Sequence, residues 1–147
     1  MTNQAFKIIV ACGGTGGHVF PGIVTAQILL ERGHDVTLWL SGQRDVEKNV
    51  ASGYAGKIFH TGAVPFSAKN GFKFFTSFFR CLRAMRATRP DALLAMGSYS
   101  SFAPVAGART CHVPVVLHEA NAVPGRAVQF LARFAERVAV SFADAAK

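Results

Sequence analysis

Apolar residues along this chain fall into two alternating patterns. Short continuous runs such as Phe6-Lys7-Ile8-Ile9-Val10-Ala11, Ala92-Leu93-Leu94-Ala95-Met96 and Val113-Pro114-Val115-Val116-Leu117 read as strands. Between them lie longer stretches with helical periodicity. Strands are expected near residues 6–11, 35–40, 57–60, 91–95, 114–118 and 137–141, and helices near 22–32, 43–52, 71–88, 102–109 and 124–134. Strands that are apolar without alternation suit a parallel sheet covered on both faces. Gly33 closes the first helix, and Arg89-Pro90-Asp91 leads into the fourth strand. The strand–helix alternation predicts an α/β fold, a Rossmann-like open parallel sheet with helices on both faces.

The stretch from Phe72 to Arg89 separates two faces when wound at about 100° per residue. Phe75, Phe78, Leu82 and Met85 form a stripe that is expected in the core. Phe72, Phe79, Arg83 and Arg86 form an adjacent stripe, with Lys73 and Arg80 beside it. Aromatic rings flanked by cations suit contact with an anionic lipid surface. The same residues also fit a solvated basic face with two further core phenylalanines.

Composition narrows the classes. A chain of 147 residues suits one domain, and 50% hydrophobic against 16% charged residues marks it as globular. No apolar run reaches the length of a membrane-spanning helix. The start, Met1-Thr2-Asn3-Gln4, has no basic or signal-like character, so a cytosolic chain is expected. Cys12, Cys81 and Cys111 show no paired spacing and read as free thiols. The net charge of +8 calls for an acidic partner: nucleic acid, anionic lipid or a diphosphate. No nucleic-acid motif is visible, which sets the first aside.

Chemistry concentrates in polar loops after strands. Gly13-Gly14-Thr15-Gly16-Gly17-His18 follows the first strand and precedes a helix in which Pro21 is expected at the first turn. Such a run lets a backbone pass close to a ligand with amides directed at it, and places one imidazole at the rim. It matches neither the dinucleotide fingerprint nor a Walker A loop, and a tight structural turn is the plainer alternative. The second loop, Met96-Gly97-Ser98-Tyr99-Ser100-Ser101, offers hydroxyls. The third, His118-Glu119-Ala120-Asn121-Ala122-Val123-Pro124-Gly125, offers an acid, an amide and an imidazole, although a lone Glu is commonly a solvated charge or a helix cap. At the carboxyl end of an open α/β sheet these loops are expected to converge on one crevice. An imidazole there can accept a proton near neutral pH, or merely brace the loop. The five histidines show no metal-ligand spacing, and no acyl-transfer elbow occurs.

The three loop motifs, in order and over nearly the whole chain, resemble the N-terminal domain of the MurG family, which transfers N-acetylglucosamine (GlcNAc) from UDP-GlcNAc to undecaprenyl-diphosphate-linked muramoyl-pentapeptide. The resemblance implies the N-terminal half of an inverting GT-B glycosyltransferase, with residues 1–147 as the acceptor-binding domain and a donor-binding C-terminal domain outside the chain. It implies no cofactor and no protein-bound metal. Thr15, Gly16, Gly17 and Asn121 would touch the donor, and His18 would be the catalytic base or would position the acceptor hydroxyl. Gly13, Gly14, Ser98, Tyr99 and Glu119 would line the acceptor cleft. Implied partners are UDP-GlcNAc, a lipid-linked diphosphate and an anionic membrane, with the protein peripheral on the cytoplasmic face. Ser98, Ala120 and Val128 depart from the family's usual residues and bear on acceptor contacts. Two other readings stay open: a membrane-recruiting subunit of a split transferase, and a non-catalytic nucleotide- or phosphate-binding module.

Overall fold

The computed structural model describes residues 4–65 and 68–146; residues 1–3, 66–67 and 147 lie outside the described residues. Six parallel strands form one sheet: β1 (Lys7–Ala11), β2 (Asp35–Leu40), β3 (Lys57–His60), β4 (Ala92–Ala95), β5 (Val115–Glu119) and β6 (Arg137–Val140), in the order β3-β2-β1-β4-β5-β6. Among the described residues the α-helices that connect them are α1 (Gly16–Glu31), α2 (Asp45–Ala51), α3 (Gly71–Thr88), α4 (Phe102–Thr110) and α5 (Arg126–Leu131). The strand order reverses between β1 and β4, which pair directly, with Ala11 opposite Ala95.

The sheet is covered on both faces, as its apolar strands require. Ile9 and Ala11 join Leu93, Ala95 and Leu117 in a core completed by Cys81 and Met85 of α3, Val105 of α4 and Leu131 of α5. Val10 and Cys12 turn the other way, meeting Val36, Leu38 and Leu40 and, from α1, Ala26. This period-two division of β1 places α1 on one face and α3, α4 and α5 on the other.

Three expectations need correction. Helix α1 begins at Gly16, six residues before the expected start at Gly22. Thr15 adopts the extended N-cap conformation (φ −103°, ψ 160°), so the second half of the glycine run is already helical. Pro21 consequently lies inside the helix, not in its first turn, and its ring cannot donate to the Gly17 carbonyl. The buried face of α3 is also rotated. Cys81 packs against α4 where Gly107 leaves room, at 3.5 Å from a Cβ built on that glycine. This close approach turns Phe74 toward the core and leaves Phe75 60% exposed. Finally, the helix expected over 124–134 is shorter: Gly125 is the N-cap of α5, and Ala132–Phe134 tightens to a 3₁₀ turn.

Gly33 does close α1. Its amide bonds Leu30 O, and the His34 amide bonds Leu29 O, the paired pattern of a Schellman cap. Arg89, in the left-handed region at φ 47°, ends α3 immediately before Pro90.

Gly22 tests the packing of α1 on β1. A Cβ there would stand 2.6 Å from Cys12 Cβ and 2.7 Å from its Sγ. Gly to Ala inside a helix ordinarily gains about 1 kcal/mol. Overpacking typically costs about 1–3 kcal/mol, and contact with a rigid strand end leaves little room to relax. Gly22→Ala should therefore lower the urea midpoint; an unchanged or raised midpoint would contradict this packing.

Candidate functional site

The three polar loops leave adjacent strands, β1, β4 and β5, at the same end of the sheet. The loops are in close contact. Gly14 has φ +92°, and a Cβ on it would lie 3.0 Å from Cε1 of Tyr99 in the second loop. Gly97 has φ +77°, and a Cβ there would lie 2.6 Å from the His118 carbonyl oxygen and 2.7 Å from Val128. Each position combines a left-handed backbone with a neighbour that a side chain would displace, so glycine is required on two counts. The sequence-predicted residues of all three loops are thus brought together at the sheet's topological switch point, the usual ligand position in such folds.

Within the first loop the amides divide into two groups. Gly14 N–H donates to Glu47 Oε1 at 2.9 Å, inside the protein. His18 N–H and Val19 N–H both donate to Thr15 O. The amides of Thr15, Gly16 and Gly17 have no acceptor among the described residues, and they stand at the positive end of the α1 dipole. The Thr15 side chain does not cap the helix; its Oγ1 lies 2.9 Å from His18 Nδ1. With the proton on Nδ1 and donated to Thr15, Nε2 presents a free lone pair.

His18 is half-buried, and its surroundings favour the neutral ring. Burial pushes its pKa below 6.5; the Glu119 carboxylate acts in the opposite sense, and His118 adds to the lowering. His18 therefore belongs electrostatically to the third loop as well as the first.

In the second loop Ser98 is buried. Its hydroxyl accepts from Ser100 N–H and bonds the Ser100 hydroxyl, holding a 3₁₀ turn over Tyr99–Ser101. In the third loop Glu119 is only 1% exposed. Its Oε1 accepts from Asn121 N–H at 2.7 Å and Asn121 Nδ2 at 2.8 Å, and its Oε2 accepts from Gly125 N–H at 3.0 Å. Glu119 shapes its loop and caps α5, while Asn121 is exposed and uses its side-chain amide on Glu119. His118 Nε2 lies 3.3 Å from Ser141 Oγ, and its Nδ1 is buried without a partner among the described residues.

Sequence reasoning missed Glu47. It occupies the third position of α2, where a carboxylate commonly reaches back to cap the helix. Here it reaches further, to Ser41, Gly42 and the glycine loop. No local spacing shows this, because Gly14 is 33 residues away.

The aromatic and basic residues of α3 form a separate feature. Phe72, Phe75 and Phe79 are 81%, 60% and 61% exposed, and Lys73, Arg83 and Arg86 are exposed beside them. Arg80, also exposed, lies over the Phe59 ring, 5.4 Å from its centroid. Among the described residues no helix is long and apolar enough to cross a membrane, and no group of three or more His, Cys, Asp or Glu side chains could hold a metal.

A sheet of this order, with glycine-rich and hydroxyl-rich loops meeting at its switch point, defines a Rossmann-like domain. The chain belongs to the glycosyltransferase family 28 N-terminal domain family, which matches residues 8–140. It is 33% identical over 149 residues to a UDP-N-acetylglucosamine--N-acetylmuramyl-(pentapeptide) pyrophosphoryl-undecaprenol N-acetylglucosamine transferase of Pelobacter propionicus, covering 96% of this chain and 39% of that protein. The crystal structure of Acinetobacter baumannii MurG superposes with a TM-score of 0.84 at 27% identity, over 95% of this chain and 42% of that one. A UDP-N-acetylglucosamine 2-epimerase from Rickettsia bellii shares the fold alone, with a TM-score of 0.72 at 14% identity over 97% of this chain and 40% of the epimerase. The expected MurG resemblance and the GT-B half-domain fold are both borne out. The chain spans about two fifths of the length of these relatives.

The lowered His18 pKa has a definite sign in stability. Between the native value and 6.5 the native state binds fewer protons than the unfolded chain. Stability should therefore decline as pH falls through 6.5 and level off below the native value. NMR titration should place the His18 imidazole midpoint below 6.5, and His18→Gln should flatten that part of the pH–stability curve. A midpoint at or above 6.5 would contradict the described environment.

Proposed function

We propose that this chain is the acceptor-binding half of an inverting N-acetylglucosaminyltransferase. The reaction moves GlcNAc from UDP-GlcNAc to an undecaprenyl-diphosphate-linked muramoyl-pentapeptide. The observation that carries the reading is the meeting of His18 with the unpartnered Thr15, Gly16 and Gly17 amides at the switch point, in a chain of family 28. The acceptor hydroxyl attacks the anomeric carbon as the bond to the UDP oxygen breaks. The hydroxyl proton passes to His18 Nε2, with Nδ1–H held by Thr15 Oγ1. The free amides and the α1 dipole meet negative charge on the donor side. Asn121 supplies polar contact to the sugar from the third loop, and a second domain supplies most of the nucleotide site.

The polyprenyl tail of such an acceptor stays in a bilayer, so the domain must work at a membrane surface. The exposed face of α3 suits that contact. Phe72, Phe75 and Phe79 can enter the interface while Lys73, Arg83 and Arg86 meet anionic headgroups, each cation contributing about 1 kcal/mol within a Debye length. The reading places the protein peripherally on the leaflet that presents the diphosphate, the cytoplasmic one.

Transfer is tested by joining this chain to the C-terminal remainder of a family member and supplying UDP-GlcNAc with a lipid-linked acceptor. His18→Ala should lower kcat by about 10²–10⁴-fold with little loss of thermal stability. A kcat within about threefold of the parent would remove His18 from the proton-transfer step.

Vesicle co-sedimentation tests the membrane contact independently. Binding should require anionic lipid, weaken with salt, and fall when Arg83 and Arg86 are both changed to Glu. Undiminished sedimentation of that folded double variant would exclude this face.

A further inference from the structure

Glu47 is a fully buried carboxylate that takes part in none of the ion pairs among the described residues. Its oxygens are occupied by three donors. Oε1 accepts Gly14 N–H at 2.9 Å and the Ser41 hydroxyl at 2.5 Å; Oε2 accepts Gly42 N–H at 2.6 Å. Gly14 belongs to the loop after β1, and Ser41 and Gly42 to the loop after β2. The carboxylate therefore ties together the carboxyl ends of two neighbouring strands. Burying a carboxylate is costly, and an apolar side chain would fill the same volume more cheaply. What a carboxylate adds is a set of acceptors with fixed directions.

Direction matters because the held peptide lies between two glycines. Neither residue carries a Cβ, so the backbone on either side of the Gly13–Gly14 peptide is intrinsically less restricted than at other residues, and an outside contact must fix its orientation. In a trans peptide the N–H and C=O point opposite ways. Drawing Gly14 N–H to Glu47 therefore also fixes the Gly13 carbonyl away from it, and sets the entry angle of Thr15, whose hydroxyl holds the His18 ring.

We propose that Glu47 is a positioning residue: it selects one orientation of the Gly13–Gly14 peptide and thereby places Thr15 and His18 for the transfer chemistry. The transfer chemistry rests on the function proposed above; the selection of a loop state does not.

Glu47→Gln is nearly isosteric but replaces one acceptor oxygen with a donor. If its oxygen serves Gly14 and Ser41, its amide nitrogen faces Gly42 N–H; if the amide is flipped, the nitrogen faces Gly14 N–H. Either way a backbone donor loses its acceptor.

The test is residue-resolved hydrogen exchange on the 147-residue chain, together with NMR titration of His18. In the parent, Gly14 N–H should exchange about tenfold or more slowly than the amides of Gly16 and Gly17. In Glu47→Gln, Gly14 should lose that protection and the His18 midpoint should rise toward 6.5, while the amides of Val10 and Leu38 stay protected. Ser41→Ala, which deletes a single donor to Oε1, should shift the Gly14 amide resonance even if Glu47→Gln does not fold. Parent exchange at Gly14 as fast as at Gly17 would overturn the proposal. So would an unmoved Gly14 resonance in Ser41→Ala, unchanged His18 titration in Glu47→Gln, or uniform loss of protection across the sheet. None of these readouts involves sugar transfer, so they stand or fall apart from the proposed reaction.

Discussion

The pairing of β1 with β4 is the contact on which the candidate site depends. A parallel sheet sends every following loop to the same end, but sequence neighbours alone would set the glycine loop beside the loop after β2. By inserting β4 next to β1, the chain brings residues 12–15 against residues 96–101. Tyr99 then becomes the surface on which Gly14 rests, and His118 the surface on which Gly97 rests. At this point the helices after β1 and β4 depart to opposite faces, the arrangement at which open α/β sheets usually take their ligands.

Two buried carboxylates then perform work usually left to regular backbone pairing. Glu119 gathers Asn121 and Gly125 into the third loop, and Glu47 gathers Gly14 and Gly42 across two loops. A loop has no ladder to satisfy its amides, so acceptors must come from side chains or water. Supplying them from inside fixes loop shape from behind. It leaves the outward amides of Thr15–Gly17 unused, with His18 beside them as a neutral ring held by Thr15.

The sheet was largely legible in the sequence because continuous apolar runs have few alternatives in a chain of this size. The start of α1 was not. Glycine is a weak helix former, and Pro21 fits a first turn so well that the helix reads as beginning beside it. Phe75 was misplaced because helical spacing fixes which residues share a face, not which face a neighbouring helix approaches; the gap opposite Cys81 at Gly107 decided that. The helix-cap reading of Glu119 came close, since its carboxylate does bond the N-cap residue of α5. Glu47 carried only the ordinary signal of a carboxylate in a helix's first turn; its bond to Gly14, on another loop, left no mark in the local sequence.

The exposed rings of α3 have a consequence in dilute aqueous solution. Phe72, Phe75 and Phe79 lie on one side of a single helix and together present a connected apolar surface edged by positive charge. Away from lipid, such a surface lowers its free energy by meeting another like itself, while the cations of the two copies repel. The balance is set by ionic strength. Salt screens the repulsion but leaves the attraction between rings, so added salt should favour pairing of the protein with itself. The salt that would weaken the proposed contact with an anionic bilayer is thus the salt that would draw copies of the domain together.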